Sequence, residues 1–221
     1  MQLYLIRHPR PKDADGLCYG RRDVEVDAES LADVAAAVRE RIPEQVLARA
    51  RIFSSPSSRC VWLARALAAP LAPRIEEDVQ EMSFGTWEGR PWNLVPREQL
   101  DAWARDVWRY RPGGGESAEM VSQRWQRWAT RIRCSGDDCA LAVTHAGVIR
   151  VALAGMGTDA RTGADAGTGA DAGTGADAGT GANAGTGANA GMSAAAAAYL
   201  QARVAFGSVH CIDLAPPPVV A

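Results

Sequence analysis

A chain of 221 residues with a formal net charge of −2 has the size of one compact domain, and its 24 basic residues are scattered among 26 acidic ones. That distribution lacks the basic stripe of a nucleic-acid binder and contains no acidic tail. An odd number of cysteines without a CxxC pair argues against a disulfide framework and a structural zinc site, and no apolar run approaches the roughly 20 residues of a membrane helix.

The opening MQLYLIRHPRP has too short an apolar stretch for a signal peptide and no basic leader, so a reducing, cytoplasmic setting is expected. Gln2–Ile6 reads as a buried strand that stops at Arg7-His8-Pro9. Ser30–Arg41 has apolar positions at helical spacing behind a capping serine. Arg51–Ser54 is a second short strand, and Ser55-Pro56 opens a helix to about Ala69 with proline near its first turn. Glu76–Pro91 reads as an irregular loop holding Phe84, Gly85, Trp87 and Gly89. A Trp- and Arg-rich helix is expected over Leu94–Tyr110, broken by Pro112 and Gly113–Gly115, and a further helix over Glu116–Cys134. Cys139–Thr144 is a strand that delivers His145, and Ala146-Gly147 starts the next helix. This alternation predicts an α/β fold, a three-layer sandwich with a mostly parallel central sheet flanked by helices.

From Gly157 to Met192 the sequence repeats with a period of six: GTDART, three copies of GADAGT, GANAGT and GANAGM. A calcium loop of the EF-hand type needs a terminal glutamate, which the segment lacks. A hexapeptide β-helix needs a large apolar residue in each turn, and alanine and threonine do not fill that role. The composition is that of a disordered insertion. The expected organisation is therefore a first part over 1–156, the insertion over 157–192, a last helix and strand of the same domain over 193–214, and a loose tail over 215–221. Within that third part the helix is placed near Ala194–Val204 and the strand near Ser208–Leu214.

Two of the three histidines follow directly after predicted strands, His8 and His145. In an open α/β sheet the ligand crevice lies at the carboxyl ends of the strands, so both imidazoles are expected to enter one crevice from adjacent strands. Arg7 and Arg59 supply guanidinium groups that grip phosphate oxygens bidentately. The same cations favour neutral imidazole at His8, the nucleophilic form, and a loop carbonyl on the other ring nitrogen would fix the tautomer. An alkoxide leaving group needs a proton donor. Glu81, among Phe84, Trp87 and Trp92, is the candidate, since an apolar setting raises a carboxyl pKa toward the working pH. Glu88 is the rival in the same loop and Glu116 a third candidate. For each residue taken singly the bland alternative is a core histidine, a solvated arginine or a surface carboxylate.

The set LIRHP, SSPSSR, EMSFGTWEG, GGGES and VTHAG, in this order and spacing, resembles the histidine phosphatase superfamily, whose members include cofactor-dependent phosphoglycerate mutases. The resemblance runs from Gln2 to Ala154 and resumes in the final strand. It implies a phosphoglycerate mutase-like fold and a phosphomonoesterase working through a phosphohistidine, with His8 phosphorylated. It also implies that Arg7, Arg59 and His145 complete the phosphate pocket, and that Glu81, four residues before Gly85, is the general acid. Neither a metal nor a cofactor is implied. The family's RHG reads RHP here, Arg10-Pro11-Lys12 replaces polar residues, and Leu63 stands where a threonine is usual; the first two alter the pocket wall.

GLCYGRRDVEV is similar to a segment of α-ribazole phosphatase-like members, which points to a small phosphorylated metabolite, α-ribazole 5′-phosphate in cobalamin synthesis, as substrate. Arg7, Arg59, Arg21 and Glu88 are then the ligand-facing residues, with Arg22 beside them; exposed turn arginines are the alternative for Arg21 and Arg22. A mutase would need more basic residues and longer covering loops than the single lysine and the Glu76–Pro91 loop supply. The helix with Trp103 and Trp108 reads as a partial cap, against the open site of a phosphoprotein phosphatase. A non-catalytic binding or assembly protein would have lost a pocket group, whereas Arg7, His8, Arg59, Glu81 and His145 are all present.

Overall fold

The computed structural model describes residues 1–68, 71–155 and 193–215. The repeat, and the tail beyond its first residue, lie outside the described residues. Five strands form the main sheet: β1 (Gln2–Arg7), β3 (Arg51–Ser54), β4 (Arg74–Ile75), β6 (Cys139–Thr144) and β7 (Val209–Asp213), in the order β4-β3-β6-β1-β7. The first four are mutually parallel where they pair, and β7 joins β1 antiparallel. This is the mostly parallel central sheet that the α/β alternation predicts, with one antiparallel edge strand. Two further strands, β2 (Leu17–Cys18) and β5 (Arg90–Pro91), make a separate small antiparallel pair.

Strand alternation assigns the two faces. Leu3 and Leu5 of β1 and Ala140 and Ala142 of β6 join one core, with α5 (Ala118–Arg133) and α6 (Ala146–Gly155) supplying Val121, Trp125, Trp128, Ile149 and Val151. Tyr4, Ile6, Leu141 and Val143 point the other way, against Ala35 and Val38 of α1 (Ala28–Arg41) and Leu63, Ala64 and Leu67 of α3 (Ser58–Ala68). A sheet buried on both faces explains why β6 is apolar at all but its last position, CALAVT, and buried along its whole length. Small alanines on one face are matched by large rings: Trp128 packs edge-on to Phe53 with centroids 5.3 Å apart.

Helix boundaries depart from the sequence expectation where proline or a cap intervenes. The helix expected from Ser55-Pro56 starts at Ser58, because Ser55 and Pro56 continue the turn off β3. The helix expected over Leu94–Tyr110 is only Arg97–Arg105 (α4), since Pro96 is its N-cap and Asp106 leaves helical geometry at φ −142°. Helix α5 begins at Ala118 rather than Glu116, capped by Ser117, whose hydroxyl accepts from the Met120 amide. The last helix, α7 (Ala194–Gln201), stops short of Val204. A short helix, α2 (Glu44–Leu47), was not foreseen at all. The loop over Glu76–Pro91 contains two 3₁₀ turns, Glu77–Val79 and Gly85–Trp87, before β5.

Candidate active site

The parallel pairing of β1 with β6 runs from Gln2↔Cys139 to Arg7↔Thr144, so both strands end at one level and release their histidines side by side. The rings of His8 and His145 stand 5.1 Å apart between centroids, edge to face, and both residues are buried. The His8 amide donates to the Thr144 carbonyl at 3.1 Å, tying the first residue after β1 to the end of β6. Nδ1 of His8 lies 2.6 Å from the Pro9 carbonyl. A carbonyl only accepts, so Nδ1 carries the proton and Nε2 keeps its lone pair. Burial first, then the charges of Arg59 and Arg7, hold the His8 pKa well below its ordinary value.

His145 is fixed by β3 and α3. Its Nε2 meets Ser55 Oγ at 2.7 Å and its Nδ1 meets Arg59 Nη2 at 3.3 Å. Guanidinium donates only, so Nδ1 accepts and Nε2–H faces the serine. Burial and Arg59 keep this ring neutral as well, with smaller contributions from His8, Arg124 and Arg7. Cys60 Sγ lies 3.5 Å from His145 Nε2, but burial pushes its thiol up to about 12, so it stays protonated and is no rival nucleophile.

The two arginines are gripped from outside the pocket. Arg59, fully buried, donates to the carbonyls of Gly20 at 2.7 Å and Arg22 at 3.0 Å. Its Nε is buried with no hydrogen-bond partner, a donor available to an anion. Arg7 donates to the Val204 carbonyl at 2.5 Å, and its guanidinium lies 3.7 Å from the centroid of the Phe206 ring. Phe206 also stands 5.7 Å from His8, walling the crevice from the α7 side.

The carboxylates sort themselves by partner. Glu81 directs its carboxyl at the amides of Met82 (2.8 Å) and Gly147 (3.4 Å), the second residue of α6 and two beyond His145. A Cβ on Gly147 would fall 2.3 Å from Glu81 Oε1, so glycine leaves the space the carboxylate occupies. Glu88 spends its oxygens on the amides of Phe84, Arg21 and Arg22. Glu116 accepts from Arg21, Arg124 and the Ser83 amide. The rings of the loop pack on one another and on the cap: Phe84 and Trp87 meet Trp92 and Trp103 edge-on, and Trp92 stacks on Trp103 at 11° between planes.

A buried imidazole pair flanked by buried guanidinium groups, with a carboxyl at the mouth of the next helix, is a constellation for phosphoryl transfer. Comparison with known proteins agrees: residues 3–165 match the model of the Histidine phosphatase superfamily (branch 1). The chain belongs to that superfamily. It is a phosphatase. A Hydrogenobacter thermophilus protein provisionally named phosphoserine phosphatase 2 is 25% identical over 72% of this chain and 81% of its own length. The adenosylcobalamin/alpha-ribazole phosphatase of Escherichia coli is 28% identical over 70% of this chain and 78% of its own. Among solved structures, the alpha-ribazole phosphatase of Shigella flexneri superposes with a TM-score of 0.66 over 97% of this chain and 91% of its own. At 22% identity, that match speaks to fold alone. Among the described residues no helix of this phosphatase is long and apolar enough to cross a membrane, and no group of three or more His, Cys, Asp or Glu is placed to hold a metal ion.

Of the residues named from sequence, the structure brings together Arg7, His8, Arg59, His145 and Glu81. Arg21 reaches the same loop but points its guanidinium at the Glu81 carbonyl (3.1 Å) and Glu116 (2.9 Å). Ser55, Phe206 and Arg124 were not foreseen. For Arg124 a signal existed: it interrupts the apolar stripe Val121, Trp125, Trp128, Ile132 of α5, where a solvated arginine does not belong. Phe206 had none, because its segment has no periodicity and meets β1 only through the fold.

Proposed function

We propose that this phosphatase hydrolyses small-molecule phosphate monoesters through a phosphohistidine at His8. The observation that carries the reading is the buried His8 ring, its Nδ1 proton on the Pro9 carbonyl, beside the neutral His145 and the cations of Arg59 and Arg7. The lone pair of Nε2 attacks phosphorus, and the P–O ester bond breaks as Glu81 gives its proton to the leaving oxygen, releasing an alcohol. Arg7, Arg59 and His145 stabilise the oxygens of the phosphoryl group in transit. Water then attacks phosphorus, the N–P bond breaks, and the Glu81 carboxylate takes up the water proton. Inorganic phosphate leaves and both groups return to their starting states.

Glu88 and Arg21 are assigned to the wall. Glu88 holds the turn at Arg21 and Arg22 by its amides, and the carbonyls of that turn in turn accept from Arg59. The CYGRRDV segment therefore shapes the phosphate side of the crevice. Its likeness to α-ribazole phosphatases, together with the E. coli relative's name, supports α-ribazole 5′-phosphate as the substrate. The test is a panel of α-ribazole 5′-phosphate, phosphoserine, 3-phosphoglycerate and p-nitrophenyl phosphate on the wild type and His8→Ala. Phosphate release with highest kcat/KM on α-ribazole 5′-phosphate, lost in His8→Ala together with an acid-labile phosphoenzyme, is the expected result. Full activity of His8→Ala overturns the mechanism. Transfer of the phosphoryl group to a second hydroxyl of phosphoglycerate would make the enzyme a mutase.

A further inference from the structure

Glu81 lies between two single 3₁₀ turns, in a stretch with no ladder or helix of its own to aim it. What holds that stretch is a guanidinium from another layer. Arg124, on α5 and 5% exposed, donates from Nη1 to the Asp78 carbonyl at 2.8 Å and from Nη2 to the Glu81 carbonyl at 3.1 Å. Its Nε and Nη2 also reach the two oxygens of Glu116, each at 3.2 Å. Glu116 closes the clamp on the far side by accepting the Ser83 amide at 3.1 Å and Arg21 Nη2 at 2.9 Å. Arg21 adds a second donor to the Glu81 carbonyl. The backbone at 78, 81 and 83 is thus pinned on both sides of the carboxyl-bearing residue.

We propose that Arg124, with Glu116 behind it, is a positioning residue that aims the Glu81 carboxyl and thereby sets the efficiency of leaving-group protonation. The inference rests on the reading of Glu81 as the proton donor. Two points favour it over a plain stabilising ion pair. A buried ion pair gives little net stability compared with an apolar pair of the same volume. And the bonds of Arg124 to two carbonyls and to both oxygens of a carboxylate exceed the three donors of an ammonium, whereas the planar guanidinium fork makes them all. Arg124 touches the backbone of Glu81 and leaves its carboxyl facing Gly147. The charge of Arg124 also helps keep His145 neutral, so Arg124→Lys, which retains charge and loses the fork, isolates the aiming role.

The experiment compares two esters. The p-nitrophenolate ion leaves without a proton, whereas the alkoxide of β-glycerophosphate requires one. General acid catalysis contributes about 10²–10⁴-fold, and a displacement of about 1 Å forfeits much of it. Arg124→Lys is expected to lower kcat on β-glycerophosphate by about 50-fold and on p-nitrophenyl phosphate by less than about 3-fold. Inhibition by inorganic phosphate should be unchanged. Glu116→Gln is expected to show the same split at about 10-fold, and decides the question alone if Arg124→Lys does not fold. Equal losses on both esters, or no loss on either, overturn the proposal. Glu81→Gln separates the two levels. A split in Glu81→Gln that is absent from the clamp variants sinks the clamp only, and no split in Glu81→Gln sinks the donor assignment and the clamp with it.

Discussion

The histidines and Glu81, the proposed proton donor, reach the same crevice by different routes. His8 and His145 leave the ends of two central strands whose pairing fixes their level residue by residue, and the rings are buried to 1% and 0% exposure. Glu81 sits in a loop whose shape is set by side chains reaching in from elsewhere, Arg124, Glu116 and Arg21, together with the loop's own Glu88. A backbone ladder places a group rigidly at no cost in buried charge; a clamp of ion pairs places it through contacts that one substitution removes. The phosphate-binding half should therefore fail uniformly for every substrate, and the protonating half selectively, according to the leaving group.

The widest separation between the halves comes from Arg59→Met. It is expected to lower kcat/KM by about 10³-fold, equally for p-nitrophenyl phosphate and an alkyl phosphate, because the role proposed for Arg59 is on the phosphoryl group common to both. A loss confined to the alkyl ester would erase the distinction. Gly113→Ala attacks the loop side. Gly113 has φ +56°, and an added Cβ would lie 2.2 Å from the Phe84 carbonyl, an atom of the backbone that cannot turn aside. A stability loss of about 2–3 kcal/mol in denaturant unfolding is expected. An unchanged midpoint would mean the loop yields more freely than its packing against residues 112–116 implies.

Acid tests the buried ring pair. Both histidines have pKa values held well below 6.5, first by desolvation and then by Arg59. In the unfolded chain each takes up a proton as pH falls through about 6.5, and in the folded chain only well below that. The unfolded state therefore binds more protons in that window. Stability is insensitive to these groups above pH 6.5 and falls below it, by up to about 1.4 kcal/mol per pH unit for each ring. Melting temperatures between pH 7.5 and 5.5 should show the slope, and His8→Asn should reduce it. By the same token kcat/KM should show no acid limb centred on an ordinary histidine pKa. The smallest effect is expected for deletion of residues 157–191, which should leave p-nitrophenyl phosphate hydrolysis within about 2-fold, since the segment supplies none of the site residues. Collapse of activity would give the repeat a role in the domain.

Much of the pocket was legible before any coordinates. Strand patterns ending at Arg7-His8 and at Thr144-His145 are local, and parallel strands release their ligand-binding residues at their carboxyl ends. Side-chain chemistry alone put Glu81 first and left Glu88 and Glu116 as its rivals, because all three are carboxylates near glycine-rich turns. Their partners, Gly147 for one, backbone amides of the Arg21 turn for another and Arg124 for the third, lie 66, 67 and 8 residues away. The lengths of α4 and α7 were overestimated for a related reason. Helical propensity runs past Asp106 and Gln201, and proline, capping and packing of the chain behind them set the ends.

Sequence by itself determined which residues are strands with two apolar faces, where histidine follows them, and that Arg7 stands beside His8. Those follow from periodicity and side-chain chemistry, which are properties of short segments. Only the tertiary structure decided that Phe206 walls His8, that Ser55 orients His145, and that a buried arginine of α5 holds the loop of Glu81. Each of these is a contact between distant segments, and its energy depends on a distance that no local pattern contains.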